Sequence, residues 1–445
     1  MKKNLQKIFF APNYYYLSLP DFESVIARLN LTEPEIDTFI LKITPPAPIS
    51  SNVNYTEEYF RERRLKAIPL DLAEDEDSGG NLPQGPKGLW IRLKRKFASW
   101  SSALNNFRKI GSFFRENRPD MVIVTSDLGN MHIRLALEYC AILNIPILIY
   151  YSYEVPLERT YATLQQTIVH LFSKYFGKLL YRFRFPLIRF IRGRYFLRET
   201  IGTFALNALI ATPFKSNREK LEKGGVGTDR IILIRHPECA IEGTKRETIL
   251  QSLGLREGSR IITFFTECIQ DVYGLEYVKN LHRTLGGIFQ KLSSESNIVF
   301  IIKPHPREIP TYQNDFHLPD QNVIGRKILF AKNLSVRDAI EISDICIAHY
   351  SRTLITAILR KKLVLSINIK GERRRTFVPE SESPILEAKT CDELENKIKL
   401  ILTEKDEAER IRESLTRLSA MLCPSDREIT SVIRELLEEG KEQRS

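Results

Sequence analysis

The sequence has no CxxC pair and no cluster of histidines. Its six cysteines in 445 residues (Cys140, Cys239, Cys268, Cys346, Cys391 and Cys423) are scattered, mostly in apolar surroundings. That excludes a disulfide scaffold and fits free thiols in a reducing cytoplasm. The seven histidines nowhere show zinc spacing, so no metal site is expected. A GxGxxG, a P-loop and a GxSxG elbow are all missing, as is any repeat of fixed period. No stretch reads as a transmembrane helix. The longest apolar window of note, residues 139–153, is uncharged for 15 residues, but Asn144 and Pro146 break it into a helix end and a strand. The opening MKKNLQKIFFAPN has a basic start and too few apolar residues before Pro12 for a signal peptide. A cytoplasmic protein is expected.

What is present is a globular composition, 43% hydrophobic and 27% charged, in a chain long enough for two domains. The net charge of +11 is unevenly placed. Residues 87–118 hold nine Lys/Arg against one acid, and residues 165–198 hold eight with no acid at all, so the rest of the chain is net acidic. Both segments mix bases with bulky apolar residues, the pattern of an interfacial helix on anionic lipid. The alternative is that their apolar faces pack on the first domain while the bases point to water. No nucleic-acid motif accompanies them, and no nucleic-acid partner is expected.

Apolar strand-like runs alternate with helical periodicity. Residues 7–11, 36–43, 120–127, 145–151, 207–212 and the start of 230–238 read as strands. Helices are predicted over 21–30 (with Asp21 at its start), 89–116, 129–144 and 214–226. Residues 44–86 read as irregular, and the acidic run at 74–77 as a solvated loop and not a metal site. A second block begins near residue 259, with strands at 260–265, 297–303, 344–348 and 363–367. Helices at 274–292, 335–343 and 352–362 separate them, and amphipathic helices follow at 405–423 and 427–440. This βαβ alternation predicts an α/β fold of two Rossmann-like, doubly wound domains facing an interdomain cleft, with a hinge near residues 236–245. The expected division is 1–240, 241–400 and a C-terminal helical segment 401–445 that packs back across the hinge.

Ligands of such sheets bind beyond the carboxyl ends of the strands. Three strand ends of the second domain carry polar residues there: FFTECIQD, KPHP and AHYSRT. Two prolines stop the 297–303 strand just where Lys303 and His305 appear. Lys303 and Arg352 supply positive charge, His305 an imidazole donor, and Ser351 and Thr353 hydroxyls at a helix start suited to a phosphate. Ser351 can equally be no more than a helix N-cap.

A strand ending in KPHP, followed some forty residues later by a strand, AHYSRT and a helix, resembles bacterial surface-polysaccharide glycosyltransferases of the GT-B fold. The groups in question are sialyl- and polysialyltransferases, capsule Kdo transferases and CDP-glycerol glycerophosphotransferases. The motifs cover about residues 260–370. The resemblance implies a His-Pro motif on His305 and Pro306 and a Ser/Thr motif on Ser351 and Thr353, which hold the donor nucleotide. Arg352 stands between them where those families often have another small residue. It implies a nucleotide-sugar donor, a glycan or lipid-linked acceptor, and transfer without metal or cofactor.

In the first domain, Asp127 follows the 120–127 strand and is placed either to take an acceptor proton or to cap the next helix. Glu154, after the following strand, is a second candidate base, and Glu267 is a candidate for contact with sugar or ribose. The expectation is a glycosyltransferase, peripheral on the inner face of the plasma membrane. The rivals are a UDP-sugar 2-epimerase of the same fold and a non-catalytic binding module.

Overall fold

All strand pairings among the described residues are parallel. Strands buried on both faces, as the continuous apolar runs require, form this kind of sheet. The structure is a computed structural model that describes residues 5–12, 15–44, 60–61, 63–72, 86–127, 131–152, 185–195, 201–236, 239, 244–267, 269, 273–295, 297–305, 316, 327–349, 351–369 and 382–442. The chain divides into two units, residues 1–237 with 423–445, and residues 238–422.

The first unit holds strands β1 (Gln6–Ala11), β2 (Ile36–Thr44), β3 (Ala67–Asp71), β4 (Met121–Val124), β5 (Ile147–Tyr150), β6 (Leu209–Thr212) and β7 (Ile231–Leu233). Their order across the sheet is β3-β2-β1-β4-β5-β6-β7. Helices α1 (Tyr15–Thr32), α2 (Pro86–Asn117), α3 (Met131–Leu143), α4 (Pro186–Tyr195) and α5 (Lys215–Lys223) accompany them. On one side of the sheet α2 and α3 bury Phe107, Ile110, Phe114, Ile133 and Leu137 against Phe9, Val122 and Ile149. Gly111 makes this contact possible, since a Cβ there would lie 2.1 Å from the Tyr139 ring. On the other side α1 buries Phe22, Val25, Ile26 and Leu29 against Ile8, Phe10 and Ile123.

The second unit contains α6 (Arg246–Ser252), β8 (Arg260–Phe265), α7 (Leu275–Glu295), β9 (Ile298–Lys303) and β10 (Ile328–Phe330). It continues through α8 (Val336–Ile342), β11 (Ile345–Ala348), α9 (Arg352–Leu359), β12 (Leu363–Ile367), α10 (Ser383–Leu386) and β13 (Glu387–Ala388), and ends with α11 (Cys391–Thr403) and α12 (Lys405–Leu422). The order is β10-β9-β8-β11-β12-β13. Each sheet thus runs outward from its first strand in one direction and then restarts on that strand's other side, the doubly wound pattern. The last helix, α13 (Ile429–Glu442), belongs to the first unit. There Ile429, Val432, Ile433 and Leu437 join the core of α1, and Arg434 pairs with Glu33.

Several local expectations are corrected. Helix α1 begins at Tyr15, six residues before Asp21, which lies inside it. Residues 44–86 are not wholly irregular, because β3 falls within them. Pro69 disguised this strand, yet β3 is at the sheet edge, where a missing N–H is tolerated. Helix α9 stops at Leu359 and not at 362. Lys361 has a φ of 58°, and the N–H groups of Lys361 and Lys362 return to Ile358 and Ala357, a left-handed termination. Asn144 ends α3 in the same way, with a φ of 54°.

Candidate functional site

The three polar strand ends of the second unit are neighbours. Strand β8 lies between β9 and β11, and the register pairs Phe265 with both Lys303 and Ala348. The next residues out are Thr266, Pro304 and His349, so these three strand ends leave the same edge side by side. Between β8 and β11 the direction of winding reverses, which is the position where open α/β sheets bind ligands. His305 and Ser351 follow strands two places apart, about 10 Å in the plane of the sheet.

Thr266 ties two of these ends together. Its N–H donates to the Lys303 carbonyl at 3.0 Å, and its Oγ1 accepts from the His305 N–H at 2.9 Å. His305 is half-buried, its backbone fixed by that bond and by Pro304. Lys303 is only 8% exposed and donates through Nζ to the carbonyl of Lys332 at 3.0 Å. Its ammonium is therefore a positive charge held at the strand end, not a solvated one. Glu267 is half-buried beside them.

Ser351 is the N-cap of α9: its Oγ accepts from the Thr353 N–H at 3.2 Å. The capping reading is therefore correct, and it leaves the amino end of the helix dipole pointing out of the same sheet edge. Thr353 is half-buried and Arg352 opens the helix. Pro306 lies outside the described residues. Reading the sequence motifs missed three contributors. Thr266 is one. The others are the buried His349 and the half-buried Tyr273, whose rings are 5.7 Å apart. Thr266 and His349 stood inside the quoted stretches, but only the sheet register shows what they touch.

In the first unit the structure departs from expectation. Asp127 has no exposed surface. One carboxylate oxygen accepts from the Gly202 N–H at 2.8 Å, the other from Phe204 and Ala205 at 3.0 and 2.8 Å. Burial pushes its carboxyl above the ordinary aspartate range, and the three N–H donors pull against that rise. Asp127 clamps the 202–205 turn and is not a base open to an acceptor hydroxyl. Arg230 holds the same turn from its carbonyl side, donating to Gly202, Ala205 and Ala208. Glu154 and the acidic run at 74–77 lie outside the described residues. Among the described residues no group of three or more His, Cys, Asp or Glu is arranged to hold a metal.

The basic segment 165–198 is also corrected in part. Residues 165–184 lie outside the described residues, but Arg189 and Arg192 of α4 do not point to water or lipid. Both are buried against Glu138 of α3, Arg189 at 2.9 Å, and Arg192 also donates to the Phe204 carbonyl. The missing acid of that segment is supplied by another helix. No helix among the described residues is long and apolar enough to cross a membrane.

The fold is similar to that of UDP-GlcNAc 2-epimerase from Neisseria meningitidis bound to UDP-GlcNAc, at 12% identity and TM-score 0.56 over 98% of this chain and 100% of that one. It is similar to the wall teichoic acid polymerase TagF, at 12% identity and TM-score 0.55 over 99% and 90%. It is also similar to the spinosyn rhamnosyltransferase SpnG, at 11% identity and TM-score 0.50 over 97% and 100%. By sequence, no family model matches the chain and no curated protein matches it significantly. The chain therefore has the GT-B-like fold of two Rossmann-like units, the architecture of these epimerase and transferase structures.

Proposed function

We propose that the protein is a metal-independent glycosyltransferase that moves a sugar from a nucleotide-activated donor to a cell-surface glycan or lipid-linked acceptor, working as a cytoplasmic peripheral protein on the inner face of the plasma membrane. The observation that carries this reading is the convergence of Thr266–Glu267, Lys303–His305 and Ser351–Thr353 on one edge of the second sheet, at its switch point. In this reading the donor's phosphates lie against the amino end of α9 and the Ser351 and Thr353 hydroxyls. His305 donates to the phosphate oxygen on which negative charge grows as the glycosidic bond breaks. Lys303 adds fixed positive charge from the strand end, Arg352 a further cation, and Pro306 restrains the chain after His305. Glu267 meets ribose or sugar hydroxyls. The acceptor hydroxyl attacks the anomeric carbon and gives its proton to a carboxylate base. With Asp127 sealed in the turn clamp, Glu154 is the residue assigned to that task.

The neighbouring epimerase structures make isomerisation the reading to test against. A thermal-shift panel of CMP, CDP, UDP, GDP and dTDP identifies the nucleotide, because a ligand that binds only the folded state raises the midpoint. The matching nucleotide-sugars are then incubated with and without glycan or lipid-linked acceptors. A transferase yields a lengthened acceptor and free nucleotide. An altered sugar formed with no acceptor present means an epimerase, and binding without any turnover means a binding module.

A further inference from the structure

Helix α4 is built inside out. Arg189, Phe190 and Arg192 face the interior at 2%, 0% and 1% exposure, while Leu187 (56%) and Ile191 (36%), one turn apart, face outward. Phe185, just before the helix, is 67% exposed. An ordinary surface helix does the reverse. The cause is Glu138: once the two arginines turn inward to meet it, the apolar residues on the opposite side of the helix are turned outward. Trp100 of α2, 36% exposed, meets the Phe190 ring edge-on at 5.6 Å and carries the apolar surface onto a second helix. Four of the ten large apolar side chains exposed among the described residues belong to these two contacting helices or to the residue just before α4, so they are concentrated in one part of the first unit.

The sequence on either side of these apolar residues is strongly basic. Five further bases of residues 165–198, with no acid among them, flank α4 in sequence, and Arg92, Lys94, Arg95 and Lys96 precede Trp100 by no more than about two helical turns. Apolar side chains with bases on every sequence flank suit the boundary of an anionic bilayer, where the first enter the acyl edge and the second meet lipid phosphate. A second copy of this chain would bring the same positive field against itself. Nucleic acid offers nothing for Leu187 and Ile191 to enter.

We infer that Phe185, Leu187, Ile191 and Trp100 form the face by which the protein docks on an anionic membrane. The inference rests on the peripheral-membrane reading above and assigns the surface that performs it. It removes Arg189 and Arg192 from the lipid-facing set, because both are used inside.

The test is co-sedimentation of the full chain with phosphatidylcholine vesicles, with and without phosphatidylglycerol. Wild type is expected to bind the anionic vesicles and to come off in high salt. Leu187→Ser with Ile191→Ser should lower the partition coefficient by at least roughly tenfold, the scale of removing two buried apolar side chains. Its melting temperature and nucleotide binding should be unchanged, because both positions are solvent-exposed. Leu400→Ser, an exposed leucine of the second unit (39%), should bind like wild type. Wild type left in the supernatant with anionic vesicles at low salt overturns the peripheral reading and this face together. Undiminished binding by the double variant overturns this face alone. A wild-type dimer that the double variant dissolves, without vesicle binding, assigns the face to a second copy and overturns the lipid inference.

Discussion

Nη1 of Arg189 lies 2.9 Å from Oε2 of Glu138, across fifty-one positions of sequence, and neither side chain is more than 3% exposed. Arg192 takes the other oxygen of the same carboxylate and stacks its guanidinium 4.4 Å from the Phe204 ring centroid. One buried acid therefore orients α4, and through Arg192 it reaches the turn that Asp127 clamps. Glu138→Ala strands two buried guanidiniums and should destabilise the first unit by about 3–5 kcal/mol. Thermal and urea unfolding measure it. Converting Arg189, Arg192 and Glu138 together to apolar residues should recover much of that loss, because the desolvation penalty then goes with all three charges.

Asp127→Asn separates the two roles read for this residue. The carboxylate accepts three N–H groups through two oxygens, and an amide can present only one oxygen. Its NH2 must then face a backbone N–H. The expected loss is about 1–3 kcal/mol of stability, with turnover per folded molecule little changed. Normal stability with abolished turnover would restore the base assignment.

At the candidate donor site, His305→Ala should lower nucleotide binding or turnover by on the order of 10²-fold while the melting temperature stays put. Ser351→Ala should lower both, since it also removes the cap of α9, worth about 1 kcal/mol. Calorimetric titration with the nucleotide found in the panel reads the first effect. Wild-type affinity and activity in both variants would end the donor-site proposal.

His282 gives the second unit a pH dependence. Its ring stacks on Phe316 at 4.4 Å and meets Phe264 edge-on, and burial pushes its pKa down from 6.5 to about 4. Between those values the unfolded chain binds a proton that the folded chain refuses. Stability therefore falls as pH is lowered from about 6.5 to about 4, and this contribution levels off below that. The full effect is on the order of 3 kcal/mol. Urea midpoints across the window should show this slope in wild type, and His282→Phe should flatten it.

The repeated βαβ pattern was legible because fully buried parallel strands must be apolar throughout and must be separated by amphipathic helices. Interior strands such as β4, β5, β8 and β9 were read from sequence alone. The strands that escaped lie at sheet edges: β3 with its proline, β10 with three residues and β13 with two. Edges carry half the pairing and little of the apolar signature.

Sequence by itself determined that Lys303 and His305 emerge from a strand stopped by prolines, because proline's lost donor and fixed φ are local facts. It determined equally that Ser351 precedes a helix. Only the tertiary structure decided that these ends, with Thr266, share one edge, because strand order is a long-range property. Only the structure decided that Asp127 is sealed under the 202–205 turn and that Arg189 and Arg192 point inward. A charged side chain's direction depends on where its counter-charge lies, and Glu138 is brought to α4 by the packing of α3, which no sequence window of α4 contains.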